Sequence, residues 1–224
     1  MSRIRIAIDG PASSGKGTVA KKVAALLGYT YIDTGAMYRS VALVAGRQRL
    51  SHGDERGIGA VAATLRIDFT WDGHTLRTTV EGEDVSELIR TEEVGRGASD
   101  VAALPSVRAA LLVAQRDLGA RGGVVMDGRD IGTVVLPHAE LKVFLDASLD
   151  ERARRRTLEL AERDGVRPVE EIRRELQARD RQDSGRAVAP LKRADDAVYV
   201  DTTAITADQA AERIVGLARA RGAT

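Results

Sequence analysis

The sequence predicts an α/β fold, a central parallel sheet with helices on both faces, from a repeated pattern, a set of helix starts and one exception. Short apolar runs of β type, Ile4 to Ile8, Val124 to Met126, Leu141 to Leu145 and Val198 to Val200, recur along the chain, each followed by a helical pattern. That alternation is the mark of βαβ units, whose crossovers lay helices over a parallel sheet. Ser148 with Glu151 and Thr206 with Gln209 have the spacing of a capping box, which satisfies the first free amides of a helix. The last helix carries Ala210, Ile214, Leu217 and Ala218 on one face, a packing stripe with no chemistry of its own. The exception is "LRIDFTW", Leu65 to Trp71, which alternates with period two, meets the turn dipeptide Asp72-Gly73 and continues through Leu76, Thr78 and Val80. It predicts a small antiparallel hairpin inserted in the α/β core, at a place where an insertion can equally be surface decoration.

A length of 224 residues suits one core with an insertion, and no internal repeat, low-complexity tract or Pro-rich linker divides it. With no cysteine, disulfides and thiolate metal sites are excluded. No apolar run approaches the roughly 18 residues of a membrane span, and nothing resembles a signal peptide, so a soluble cytoplasmic protein is expected. A net charge of +1 argues against a globally basic nucleic-acid binder. The cations are uneven in kind. Of 34 basic residues only Lys16, Lys21, Lys22, Lys142 and Lys192 are lysine, the rest being arginine.

The first strand runs into "GPASSGKGT", Gly10 to Thr18, and then into a helix. This is the context of a phosphate-binding loop: free amides and the positive end of the helix dipole form an anion site, and glycines let the backbone approach the oxygens. Gly10, Ser13, Ser14, Gly15, Lys16, Gly17 and Thr18 are therefore the expected nucleotide-binding residues, with Lys16 reaching the β and γ phosphates. The strict Walker A pattern has Ser or Thr directly after the lysine, whereas this chain has Gly17 there and Thr18 one later. Which hydroxyl meets Mg²⁺ is left open. The loop implies a nucleoside triphosphate and no particular reaction.

Three further clusters stand where loops leave strands. In "YIDTGAMYR", Tyr31 to Arg39, a short strand turns at Asp33, Thr34 and Gly35 into a helix carrying Arg39, which reads either as an ordinary N-cap or as a site. In "VVMDGRDIGT", Val124 to Thr133, the strand ends in Asp127, the place of a Walker B-like acid that could hold a metal's water shell. Arg129 and Asp130 leave that strand side by side, either as a mutual ion pair or as ligand-facing groups at the carboxyl end of a parallel strand. In "ARDRQDSGRAVAPL", Ala178 to Leu191, Arg179, Asp183 and Arg186 follow a charged helix whose simplest reading is a solvated face. The arginines of "DERARRR", Asp150 to Arg156, are a phosphate-facing lid only if the rest is a kinase. His52, His74 and His138 fall outside these motifs and read as surface residues.

Taken in order, "GPASSGKGT", "DTGAMYR", "GEDVSELIR", "SDVAALPSVR", "MDGRDIGTVV" and "RDRQDSGRAVAPL" resemble the bacterial cytidylate kinases of the nucleoside monophosphate kinase superfamily, over nearly the whole chain. The Gly-Arg-Asp-Ile-Gly-Thr run and the "RAVAPL" tail are the specific parts; the loop with Gly-Thr after the lysine is shared with adenylate kinases. The resemblance implies an α/β three-layer P-loop fold with a central parallel sheet, a helical lid and a small antiparallel β insert in the monophosphate-binding region. It implies one kinase domain, 1–224, with a core of 1–33 and 102–224, a monophosphate-binding region of 34–101 whose extension is Leu65 to about Arg96, and a lid at about 151–168. It also implies transfer of the γ-phosphoryl group of ATP to CMP or dCMP, with Mg²⁺, by a monomer acting on small molecules rather than nucleic acid or membrane.

By the same resemblance, Arg39, Arg129 and Arg186 lie around the acceptor phosphate, Ser99, Arg108 and Asp130 near the pyrimidine, and Arg179 and Asp183 near the sugar. Thr34 stands where many relatives have serine, keeping the hydroxyl and adding a methyl. The expected catalytic groups are Lys16, Arg129, Asp130 and Arg186, the donor-binding lid arginines Arg152 and Arg156, and the metal-facing residues Thr18 and, through water, Asp127. The rivals are another monophosphate kinase, differing at Ser99, Arg108 and Asp130, and a regulatory nucleotide-binding module, which needs no second anion site.

Overall fold

Strand β1 (Arg5–Asp9) is apolar on both faces, with Ile6 and Ile8 on one side and Ala7 on the other, and such a strand belongs in the middle of a sheet covered on both sides. The computed structural model, which describes residues 3–51, 53–162 and 165–224, places it there. From one edge the order is β2 (Thr30–Asp33), β6 (Val124–Gly128), β1, β7 (Leu141–Asp146) and β8 (Val198–Asp201), with every neighbouring pair parallel. On one face Ile6, Ile8, Val125 and Val143 pack against Val19, Val23 and Ile214 of helices α1 (Lys16–Leu27) and α8 (Ala207–Arg219). On the other, Ala7, Ile32, Val124 and Met126 meet a π-helical turn, Ile131–Val135, and Leu112 and Leu118 of α5 (Pro105–Ala120).

The two expected capping boxes come out differently. At α8 the Thr206 hydroxyl accepts from Gln209 N and the Gln209 side chain accepts from Thr206 N, so the box is complete. At α6 (Leu149–Ala161) Ser148 accepts from Glu151 N, but Glu151 is taken by Arg154 and Arg155, and Ser148 N donates to Thr203 Oγ1 instead.

The insert is a three-stranded antiparallel sheet rather than a hairpin: β3 (Ile67–Trp71), β4 (Leu76–Val80) and β5 (Glu83–Asp84). Its first connection is also longer than a two-residue turn. Trp71 pairs with Leu76, and the loop between them is held by the Asp72 carboxylate, which accepts from His74 N and Thr75 N. Nor is the insert decoration. Leu76 is buried in the same core as α1 and α8, a burial worth about 1.5–3 kcal/mol, and Trp71 meets the Tyr31 ring edge-on at 5.6 Å. Val80, Val85 and Ile89 rest on Ala36 of α2 (Thr34–Arg47). Met37 and Val41 of α2 in turn pack with α3 (Glu55–Thr64), α4 (Glu92–Val101) and α5. Helices α6 and α7 (Val169–Ser184) form a hairpin whose Ala153, Leu160, Ile172 and Leu176 close over Ala12 of the first loop.

The strand register decides what meets at the carboxyl edge. Asp33 lies opposite Asp127 and Asp9, one residue farther along, opposite Gly128, so three carboxylates end within one residue of each other in register beside the loop that leaves β1. Among the described residues no single helix is long and apolar enough to cross a membrane. His74 and His138 are exposed; His52 lies outside the described residues.

Candidate active site

The loop after β1 turns tightly against β7. A Cβ on Gly10 would stand 2.0 Å from the Leu145 carbonyl oxygen, so no larger residue fits without moving the backbone. Gly15, the N-cap of α1, has φ +86, a left-handed conformation that glycine adopts freely. The first amides of α1 are thereby presented at the carboxyl edge of the sheet, as an anion site requires. Ser14 is fully buried and its hydroxyl has no protein partner. The Lys16 ammonium folds back to donate to Pro11 O at 3.0 Å, and burial, with the charge of Arg129 behind it, lowers its pKa to about 7.

Across the loop lies Asp127, buried, with its Oδ1 accepting from the Tyr31 hydroxyl at 2.8 Å and its main-chain oxygen accepting from Thr34 Oγ1 at 2.8 Å. Burial, then the nearby charge of Asp33, pushes its pKa up to about 6. Thr18 lines the same cleft. Among the described residues no group of three or more His, Cys, Asp or Glu gathers as a metal cage. A hydroxyl and one carboxylate whose charge is held at a cost suit Mg²⁺, a hard cation that keeps its waters and takes its other ligands from substrate phosphates.

The arginines gather on the far wall of a cleft of about 380 Å³. Arg39 of α2 donates to Asp33 at 2.6 Å, and Arg90, from a 3-10 turn after the insert, reaches the same oxygen at 3.3 Å. Burial works against the Asp33 charge, yet Arg39 and Arg90 outweigh it and hold the carboxyl below its usual range. Asp183 of α7 is likewise depressed, burial being outweighed by Arg129, Arg186 and Arg179. Arg129 Nε donates to it at 2.9 Å, and Arg186 donates to its other oxygen. Arg179 lies beside them; burial, then the charge of Arg129, lowers its pKa to about 10. Arg108 of α5 donates to Asp130 Oδ2 at 2.5 Å, both groups being buried, and its guanidinium stands 5.4 Å over the Tyr38 ring. Ser99 of α4 lines the same wall.

The structure brings most of the sequence-predicted residues to this one cleft, decides between the alternatives at Arg129 and Asp130, and corrects the reading of Arg152. Arg129 and Asp130 do not pair with each other: the π-helical turn sends them apart, Arg129 to Asp183 and Asp130 to Arg108. Arg152 does not line the cleft. Its guanidinium is buried between Asp180, at 2.7 and 3.1 Å, and the carbonyls of Ala12 and Ala147, where it ties the α6–α7 hairpin to the loop. Arg156 does line the cleft, paired with Glu159. Nor is the helix before Arg186 merely a solvated face, since Asp183 is only 1% exposed.

Sequence reasoning passed over Asp9, Asp33, Lys21, Arg90 and Arg155 as site residues. Asp9 accepts from Ile131 N and Gly132 N, both at 2.7 Å, and so clamps the turn that follows Asp130. A carboxylate ending a parallel strand, as Asp9 and Asp33 do, was a readable signal. Arg155 reaches Ser14 O at 3.2 Å and Thr202, but nothing in a run of arginines distinguished it from its neighbours.

The chain matches the family model for cytidylate kinase over residues 6–220. It is 51% identical to a cytidylate kinase of Citrifermentans bemidjiense over 207 residues, 92% of this chain and 89% of that protein. It is 49% identical to a cytidylate kinase of Exiguobacterium sibiricum over 218 residues, 97% of this chain and 98% of that protein. A solved structure of an uncharacterized protein from Eubacterium ventriosum has a similar fold, with a TM-score of 0.50 and 13% identity over 97% of this chain and 99% of that one. This chain belongs to the cytidylate kinase family.

Proposed function

We propose, with that membership as the premise, that the cleft transfers the γ-phosphoryl group of ATP to CMP, and also to dCMP, giving ADP and the pyrimidine diphosphate as a step of pyrimidine nucleotide metabolism. The observation that carries the reading is a surplus of donors. Arg39, Arg179 and Arg186 each keep a buried Nε with no protein partner, and so does the hydroxyl of Ser99, all on residues that line one cleft facing the phosphate loop. A buried polar group without a partner costs about 1–3 kcal/mol, so four on one wall imply a ligand rich in acceptors. A phosphate monoester carrying a pyrimidine is such a ligand.

The reaction needs no strong base, because the second pKa of a phosphate monoester is about 6 and the acceptor is largely dianionic at neutral pH. The task is to hold two anions in line while charge spreads over the transferring group. Lys16 and the loop amides hold the donor phosphates, with Arg156 of the lid. Arg39, Arg129 and Arg186 hold the acceptor phosphate, their planar forks fixing its oxygens where lysine would offer a point charge. Arg179 and Asp183 meet the sugar. Ser99, Arg108 and Asp130 read the base: Asp130 accepts from the exocyclic amine of cytosine, where uracil presents a carbonyl. Thr18 and, through water, Asp127 would hold Mg²⁺, which would supply positive charge to offset that on the transferring phosphoryl group.

The chain is expected to act as a cytoplasmic monomer, with 34–101 as monophosphate-binding region and 151–168 as lid around the core 1–33 and 102–224; residues 163–164 of that lid lie outside the described residues. The lid and the monophosphate region close inward before transfer, which keeps water from competing as acceptor. The α7 hairpin already touches that region where Arg167 donates to Glu92 at 2.8 Å.

The test is ADP formation from ATP and Mg²⁺ with CMP, dCMP, UMP, AMP and GMP offered in turn, together with the thermal shift caused by CMP alone. Turnover led by CMP and dCMP, and a CMP shift abolished in Arg129→Ala, are the expected results. Preference for another monophosphate overturns the base assignment, and no turnover with any acceptor overturns the reaction.

A further inference from the structure

In P-loop nucleotide enzymes the hydroxyl directly after the lysine works beside the Walker B acid at Mg²⁺. This chain has Gly17 at that position. The structure shows what occupies the neighbourhood instead. A Cβ on Gly17 would lie 3.5 Å from the Tyr31 hydroxyl and 3.9 Å from Asp127 Oδ2, and the Tyr31 hydroxyl donates to Asp127 Oδ1 at 2.8 Å. The phenol therefore reaches, from the neighbouring strand, the space into which a serine or threonine side chain at 17 would project.

We propose that Tyr31 supplies the hydroxyl that position 17 lacks, as a positioning residue that orients the Asp127 carboxylate for the water shell of Mg²⁺. With Oδ1 held by the phenol, Oδ2 is the oxygen left on the side of Gly17 and the phosphate loop. The holder is itself rigid. Tyr31 is 1% exposed, its ring meets Trp71 of the insert edge-on at 5.6 Å, and the Lys21 ammonium stands 5.9 Å from its centroid. A phenol fixed in this way keeps one hydrogen-bond direction, which a freely rotating side chain would not. Gly17 and Tyr31 are then two halves of one solution: a hydroxyl at 17 and one at 31 would contend for the same volume beside Asp127. The insert contributes through Trp71, which braces the ring from the smaller, antiparallel sheet.

The inference rests on the reading of Asp127 as the metal-facing acid, and the experiment separates the two. ADP affinity is measured by calorimetry with Mg²⁺ and with EDTA in the wild type, Tyr31→Phe, Tyr31→Phe/Gly17→Ser and Asp127→Asn. Melting temperatures and the emission of Trp71, the sole tryptophan, establish that each variant keeps the fold. Loss of a residue that orients a metal-facing group costs roughly 10–100-fold in metal affinity, and the lower end is expected for one acting through water. Tyr31→Phe should thus lose about tenfold of the gain in ADP affinity that Mg²⁺ gives, keep its affinity in EDTA, and recover when Gly17→Ser returns a hydroxyl to the site. A full Mg²⁺ gain in Tyr31→Phe overturns the inference, as does a loss that Gly17→Ser fails to restore. If Asp127→Asn keeps the gain, the metal reading itself is wrong.

Discussion

The donor loop and the acceptor wall, both proposed to bind phosphate, are built in opposite ways. The loop is one continuous stretch, Gly10 to Thr18, whose donors are main-chain amides at the start of α1 and a single lysine. The wall is assembled from α2, α7, the turn after β6 and the segment beyond α7, and its donors are guanidinium groups. Amides carry no net charge and repel one another far less than guanidinium groups do. The wall therefore contains a second component absent from the loop, buried carboxylates: Asp33 beneath Arg39 and Arg90, Asp183 between Arg129 and Arg186, and Asp130 against Arg108. Burial lowers the pKa of Arg186 even though it donates to Asp183, and that of Arg179, whose Nε has no protein partner, falls to about 10. A phosphate site made of cations needs anions to hold it together before the ligand arrives.

The sharpest test of that difference is Asp183→Ala. Removing one partner of a buried ion pair costs about 3–5 kcal/mol, and here two arginines lose a common acceptor. Urea unfolding should show that loss, and the KM for CMP should rise while that for ATP stays near its starting value. An unchanged midpoint would mean the carboxylate is not what holds the wall. On the loop side, Lys16→Met should lower kcat about 10²–10³-fold, the usual cost of deleting one preorganised donor to transition-state charge. Its CMP-induced thermal shift should persist, because the wall assembles without the loop; a lost shift would merge the two regions into one unit.

Within the wall, Asp130→Asn should lower the CMP to UMP preference about tenfold, because it removes the proposed acceptor for the cytosine amine. An unchanged ratio of kcat/KM values removes Asp130 from base reading. The smallest effect distinguishes the charges themselves. In the free protein Lys16 is held near 7 by burial, so at pH 8 it is largely neutral, and bound phosphates favour its charged form. Binding of ADP, whose phosphates are already ionised at pH 8, should therefore take up close to one proton at that pH, read as the dependence of binding heat on buffer ionisation. Buffer-independent heats at pH 8 would place the Lys16 ammonium outside the phosphate site.

The same contrast separates what was legible in the chain from what was not. Apolar runs alternating with helical patterns located the strands of the parallel sheet to within a residue or two at their ends, because a strand buried on both faces has to be apolar throughout. The loop was legible for an equally local reason: its geometry depends on Gly10, Gly15 and the start of one helix. The insert was seen as β structure, but its third strand, two residues long, is too short to carry a period, and its attachment to the core through Leu76 and Trp71 is a contact across the fold.

The sequence by itself thus determined the sheet, the phosphate loop and, through the spacing of its motifs, the residue types gathered for an acceptor anion. Tertiary structure alone decided which charges became partners. Arg129 and Asp130 are adjacent in the chain and part company in space, while Arg129 and Asp183 stand 54 residues apart and share a hydrogen bond. The physical reason is that a backbone motif is complete within its own few residues, whereas an ion pair is set by the strand register that brings Asp33 level with Asp127 and by the helix packing that carries α7 across the cleft.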